Sequence, residues 1–311
     1  MGTHYSRSGL GSHIDLQSLG ARLVIYGDIN DDKMPYFNPS IAFHEGKLKI
    51  AIRKCNFTTL RHKNWVFLDG NIYSKSEVLY GDLDPDTLDV SNLLPLSLDD
   101  DAPLETQIAG LEDVRLFSRR DGMHVIGFEV DRITPCYYKN SCMAEYRIDG
   151  DSLVYLRTLS KPISDRVEKN WQPSDEPNKR FDFTYSPTEV WKNGEVLGDV
   201  YKGEVHGGSQ LIEQRNGTYL SIVHQKLADR RYGNVYDKYV YLSYLARHDK
   251  NGIITHLTKP FTFGTHENIE FASGMVEHDD NLIISLGIRD AKFGIARVAK
   301  SRLVDLLEPV A

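Results

Sequence analysis

The chain reads as all-β, specifically a five-bladed β-propeller, and three observations predict it. Strand-turn-strand units recur in order along the sequence. Aromatic residues and glycines are abundant, 17 Tyr, 12 Phe and 24 Gly in 311 residues, which suits pleated surfaces joined by tight turns. Helical periodicity is weak everywhere except Ser301 to Leu307. A propeller of small radial sheets accounts for this pattern while leaving only short, protected edges; a β-sandwich is the alternative.

The first unit is Pro39 to Phe43, a turn at His44 to Lys47, and Leu48 to Arg53. Both runs alternate and the link is short and contains glycine, a hairpin signal. The second is Val114 to Phe117, a turn at Arg119 to Gly122, and Met123 to Phe128. The third runs from Lys169-Asn170-Trp171 through Arg180 to Tyr185 into Glu189-Val190-Trp191. The fourth is Gly207 to Ile212, a turn at Arg215-Asn216-Gly217, and Tyr219 to His224. The fifth is Phe271 to Val276, a turn at His278 to Asn281, and Leu282 to Leu286. The anchors Asn38, Asp113, Asn170, Gly208 and Ser273 are 75, 57, 38 and 65 residues apart, a loose recurrence rather than a tight repeat. Residues 1–20 are expected to be a flexible segment and 21–311 a single domain. Around one axis, the strand starts would converge on a central cavity.

Composition narrows the function classes. A net charge of −7 argues against a large non-specific nucleic-acid surface, although nucleic acid is not excluded as an acceptor. Three cysteines, Cys55, Cys136 and Cys142, are too few for a disulfide framework and point to a reducing compartment. No window approaches a membrane span and residues 1–20 lack signal-peptide character, so a cytoplasmic protein without a membrane partner is expected. Zinc-ligand spacing, phosphate loops, His-Glu-x-x-His and an EF-hand pattern at Asp28 to Asp32 are all missing, so no metal or cofactor is expected.

The chemistry is concentrated in Gly110-Leu111-Glu112-Asp113-Val114-Arg115-Leu116. This stretch sets two carboxyl groups and a guanidinium close together at the start of a strand, residue types that serve acid-base chemistry. On a regular strand Asp113 and Arg115 would share one face and Glu112 the other. Arginine beside Asp113 would lower its pKa, whereas a general acid needs it raised, unless an anion screens the guanidinium. A structural salt bridge is the other reading of the motif.

These residues resemble the Gly-x-Glu-Asp-Pro-Arg motif of glycoside hydrolase family 130, mannoside phosphorylases and hydrolases with a five-bladed β-propeller. Asn38-Pro39, Gly207-Gly208-Ser209 with Tyr219 to His224, and Phe271-Ala272-Ser273-Gly274 with Leu286 to Asp290 resemble that family's other blades. Glu168-Lys169-Asn170-Trp171-Gln172-Pro173 is similar to propeller proteins of bacterial polysaccharide clusters labelled glycosyltransferases. Val114 stands where the family has proline, and Gln225-Lys226 follows His224 where it has Gly-Val.

The resemblance implies that Asp113 is the catalytic acid and that Arg115 binds an anion, with Lys169 and His224 as further anion contacts. Asn38, Arg53, Glu112, Asn170, Trp171, Gly208, Ser273 and Asp290 complete the expected substrate-binding set. Several keep a structural alternative: Trp171 is a sugar platform or a buried core residue, and His224 is an anion contact or a satisfied strand histidine. Gly208 permits close approach to a ligand or forms a bend, and Arg289-Asp290 is part of the site or an ion pair. Arg230 to Tyr241, basic and aromatic, suits an extended acceptor or a solvated loop. Three functions follow from this reading. The protein is a phosphorylase or hydrolase using phosphate or water, a glycosyltransferase using a sugar nucleotide on a glycan acceptor, or a sugar-binding module without catalysis.

Overall fold

The computed structural model describes residues 13–27, 34–60, 63–69, 74–129, 142–159, 169–174, 183–185, 189–192, 195–199, 205–228 and 239–310. The chain is all-β, with its sheets in a nearly closed, barrel-like arrangement. Among the described residues there are two eight-stranded sheets, two four-stranded sheets and a two-stranded hairpin. No described helix is long and apolar enough to cross a membrane.

The hairpins expected from alternation form: Tyr36–His44 pairs with Lys47–Cys55, Leu111–Arg119 with Gly122–Glu129, and Glu270–His278 with Asn281–Ile288, all antiparallel. The leading strands are buried along most of their length, because each is covered on both faces. Tyr36–His44 packs against both Leu111–Arg119 and Glu270–His278, and Leu111–Arg119 also touches Gln172–Pro173. Ser174 bridges to Leu211, and Tyr219–Ala228 packs on Glu270–His278. Apolar clusters fill the spaces between neighbouring sheets. One joins Ile41 and Ile50 to Val276, Ile283 and Phe293; another joins Ala42 and Ala51 to Leu116 and Val125.

Part of the segment expected to be flexible is built into the fold. Ile14–Asp15 pairs in parallel with Phe261–Thr262, and Leu16 is fully buried against Phe261 and Phe263 in the same cluster. Burial of a leucine is worth roughly 1.5–3 kcal/mol, enough to hold a short segment down. Arg22–Tyr26 then adds to the edge of Lys292–Ala299, so an early strand completes a sheet made by late ones. Lys300–Val304 is helical near the expected place. A second helix, Leu104–Ala109, was not expected. Tertiary contacts support it, since Thr106 donates to the buried Glu129 carboxylate at 2.6 Å.

Candidate active site

The site is built on irregularities in the leading strands. Phe37 pairs with Arg53 and Ser40 with Ala51, so Asn38-Pro39 bulges between them. Glu112 pairs with Phe128 and Arg115 with Ile126, so Asp113-Val114 does the same. Ser273 is the extra residue between Ala272 and Gly274. Asn38 and Asp113 adopt left-handed φ values of 48° and 49°, a conformation Asn and Asp tolerate better than most residues. A bulge of this kind re-aims side chains.

The consequence corrects the strand-alternation reading. Glu112 and Asp113 do not part to opposite faces, because both meet the same guanidinium. Arg53 Nη2 lies 2.9 Å from Glu112 Oε1 and Nη1 lies 3.0 Å from Asp113 Oδ1. Its Nε donates to Ser76 Oγ at 2.9 Å, and the rings of Phe37 and Phe57 flank it. Asp113 Oδ1 also accepts from Asn38 Nδ2 at 2.8 Å, and Oδ2 faces the Lys169 ammonium at 3.4 Å. Burial opposes ionisation of Asp113, but Lys169, Arg53, Arg115 and the Asn38 amide outweigh it and hold the carboxyl well below the usual range.

Arg115 sits behind this carboxylate and is 1% exposed. Its Nε donates to the Gly208 carbonyl at 2.6 Å, and Nη1 donates to the carbonyls of Asp113 and Val114 at 2.7 and 3.1 Å. Most of the fork expected for an anion is therefore spent on fastening the bulge. Burial lowers its pKa to about 10 against the pull of Asp113. Only Nη2 is buried with no partner among the described residues. The Gly208 carbonyl is an anchor for Arg115, and a Cβ at that residue would lie 2.7 Å from two backbone oxygens.

A second wall is aromatic. His224 stacks on Tyr241 at 5.2 Å, meets Phe271 edge-on at 5.0 Å and lies 5.5 Å from the His206 ring. Arg115 lies over the other side of the group, 5.1 Å from the Phe271 ring centre. Burial first, then His206, Arg115, Lys169 and Lys226, push the His224 pKa well down, so the imidazole is neutral. Its Nδ1 is buried with no partner among the described residues. Tyr241, pushed up to about 12 mainly by burial, and Phe271 join the site; the sequence placed Tyr241 only in the acceptor stretch Arg230 to Tyr241 and Phe271 only in the last-blade resemblance, and named neither as a site residue. The alternating Tyr239 and Tyr241 were the available signal.

Asp290 completes the charged group. It lies in the three-residue turn between Asn281–Ile288 and Lys292–Ala299, with φ 51°. Burial and the negative charge of Asp113 push its carboxyl up to about 6, against Arg53 and Lys169. Arg289 instead pairs with Glu267 at 3.4 Å.

Other expected residues have structural duties. Trp171 is fully buried among Phe117, Ile126, Phe128, Met143 and Leu159, which leaves it no open face for stacking a sugar. Ser273 is fully buried and donates to the Pro39 carbonyl at 2.6 Å, tying two bulges together. Asn170, at φ 68°, turns the chain between Lys169 and Trp171. Arg230 to Lys238 lies outside the described residues. Among the described residues, no three His, Cys, Asp or Glu side chains are grouped to hold a metal ion.

No family model and no curated protein matches the chain. Solved structures do match in fold. The β-1,2-mannobiose phosphorylase of Listeria innocua aligns with a TM-score of 0.59 at 16% identity, over 92% of this chain and 99% of that one. The mannose phosphorylase MPT-4 of Leishmania mexicana, solved with a phosphate ion, gives 0.60 at 15% identity over 93% and 91%. The GDP-Man-dependent mannosyltransferase MPT-1 of Leishmania mexicana gives 0.58 at 14% identity over 89% of each chain. The fold of this chain is thus similar to that of phosphorylases and a transferase alike.

Proposed function

We propose that this protein is a carbohydrate-active enzyme that transfers or cleaves a glycosidic bond in the central cavity of a five-bladed β-propeller. The blade count is supported by the pairing order: one eight-stranded sheet is two four-stranded units whose outer strands, Val90–Leu98 and Ser152–Leu159, pair in parallel, and with the other eight-stranded sheet and the two four-stranded sheets this makes five. The observation that carries the function is the Asp113 carboxylate, held ionised at a strand bulge by Asn38, Arg53 and Lys169 with Glu112 and Asp290 alongside. Three carboxyl groups grouped with two cations suit a sugar, whose hydroxyls are recognised by charged hydrogen-bonding partners. The structural relatives act on mannosides or use GDP-mannose, so mannose is the sugar we assign. Lys169, Arg115 Nη2 and neutral His224 are the contacts offered to an anionic co-substrate, either inorganic phosphate or the diphosphate of a sugar nucleotide.

The similarity to MPT-1 favours a transferase as strongly as that to MPT-4 favours a phosphorylase. One experiment separates them. The protein is incubated with β-1,2-mannobiose with and without phosphate, and its thermal unfolding is followed with phosphate and with GDP-mannose. Mannose 1-phosphate formed only with phosphate identifies a phosphorylase. A thermal shift with GDP-mannose and none with phosphate identifies a transferase. Saccharide affinity without turnover of either substrate leaves a binding module and refutes the enzyme reading.

A further inference from the structure

The site holds three carboxyl groups, and their surroundings divide them. Asp113 is saturated, with an amide, a guanidinium and an ammonium directed at its two oxygens. A proton placed there would have to compete with all three donors. Glu112 is tied to Arg53 at 2.9 Å. Asp290 differs. It is half-buried, stands on a left-handed turn at the rim of the same group, and takes part in no hydrogen bond or salt bridge among the described residues. Its turn follows Gly287, which lies directly against the Asn38 amide that holds Asp113, and its charge is felt together with those of Asp113, Glu112, Arg53 and Lys169, and by Tyr241.

We propose that Asp290 is the catalytic residue that exchanges the proton with the glycosidic or acceptor oxygen, while Asp113 remains an ionised carboxylate throughout. This rests on the glycosyl-transfer reading above. In cleavage, the Asp290 carboxyl gives its proton to the bridging oxygen as the bond from that oxygen to the anomeric carbon breaks. The leaving sugar departs as an alcohol, and an oxyanion of inorganic phosphate supplies the electron pair for the new bond to the anomeric carbon. The Asp290 carboxylate then recovers a proton from solvent. In transfer from a sugar nucleotide the proton runs the other way: the acceptor hydroxyl yields it to Asp290, and the nucleoside diphosphate leaves with the bonding electron pair.

Two carboxyl groups whose environments push their proton affinities apart mark separate acid-base and electrostatic roles. A group poised near the working pH is the effective proton donor, and Asp290, raised to about 6 by burial and by Asp113, meets that condition. Asp113 does not.

The test has two arms. First, carbon NMR of the side-chain carboxyl groups is recorded against pH for the wild type, Asp290→Asn and Asp113→Asn. The signal missing in Asp290→Asn should titrate near pH 6 in the wild type and at lower pH in Asp113→Asn. Titration in the ordinary range, near ~4, overturns the proposal whether or not a substrate is found. Second, Asp290→Asn is compared on β-1,2-mannobiose and on 4-nitrophenyl β-mannoside, whose leaving group needs no proton. The expected result is a loss of about 100-fold or more in kcat on the disaccharide, the scale of lost acid catalysis, with the aryl mannoside turned over within about tenfold of the wild type. Equal losses on both, carried by KM, would make Asp290 a sugar contact and overturn the proposal. A wild type that turns over neither substrate with phosphate present, and transfers no mannose from GDP-mannose to a mannoside acceptor, refutes the glycosyl-transfer reading, and the proposed catalytic role with it, while the NMR arm still reports the proton affinity of Asp290. Asn suits the left-handed backbone at this position, so the variant should keep the fold.

Discussion

Asn38 and Asp113 are counterparts that touch. They occupy the bulge of adjacent leading strands with nearly equal φ values, 48° and 49°, and the Asn38 amide donates to the Asp113 carboxylate at 2.8 Å. One repeated backbone irregularity thus yields an amide in one sheet and an acid in the next, aimed at each other. Replacing Asn38 with Asp converts the donor into a second buried carboxylate. The expected result is a loss of stability of about 1–3 kcal/mol at pH 7 in denaturant unfolding, shrinking as pH falls towards the ordinary carboxyl range and the folded pair takes up a proton.

Arg53 serves two carboxylates at once. Arg53→Ala leaves both without their shared cation, and breaking a buried pair this way costs roughly 3–5 kcal/mol. Urea unfolding should show that loss at neutral pH and a smaller one in acid, where protonated carboxyl groups need no counter-charge. Lys169, whose side chain is 43% exposed, should behave otherwise: Lys169→Met should lower turnover with little change in the unfolding midpoint. Equal destabilisation by both variants would refute this division.

Gly287 leaves the space that Asn38 uses. A Cβ at residue 287 would lie 1.8 Å from Asn38 Oδ1, so Gly287→Ala must displace the amide from Asp113. Overpacking of this kind costs about 1–3 kcal/mol. Activity should fall together with stability, and in Gly287→Ala/Asn38→Ala stability should partly recover while activity does not.

Stability should also depend on pH through Asp290. Its folded-state pKa is about 6 against an ordinary value of 3.8. Between those values the folded protein keeps a proton that the unfolded chain has released, so this group's contribution falls as pH rises through the window and is level above it. Asp290→Asn should therefore match the wild type at pH 3.5 and exceed it by roughly 2–3 kcal/mol at pH 7.5. A constant difference across pH would contradict the assigned shift.

Much of this was legible in the sequence, for identifiable reasons. Alternation around short turns predicted the hairpins at Gly46, Arg119 to Gly122 and His278 to Asn281, and those strands form. The motif Glu112-Asp113-x-Arg115 was found because three charged residues opening an apolar strand are costly without a purpose. Its geometry was not legible, since alternation assumes a regular strand and the left-handed Asp113 breaks it. Trp171 kept two readings in the sequence, platform and core, because exposure depends on the neighbouring sheet, which contributes Phe117 and Phe128 and decides for the core. The helix at Leu104–Ala109 escaped because six residues are too short to show a period. Asp290 was singled out, but its unpaired state follows from Arg289 turning to Glu267 instead, a choice made by tertiary contacts.

The pairing of Arg22–Tyr26 with Lys292–Ala299 carries a consequence for biosynthesis. An early strand waits for one far along the chain, so Arg22–Tyr26 stays unpaired until the stretch that holds Lys292–Ala299 has been made. Until then the edge of Arg22–Tyr26 is open to other nascent chains, and Asp290, at the head of the same late hairpin, has not yet been placed beside Asp113. The charged centre assembles only once residues 281–299 are in place, so a chain cut before them carries the motif without the means to use it.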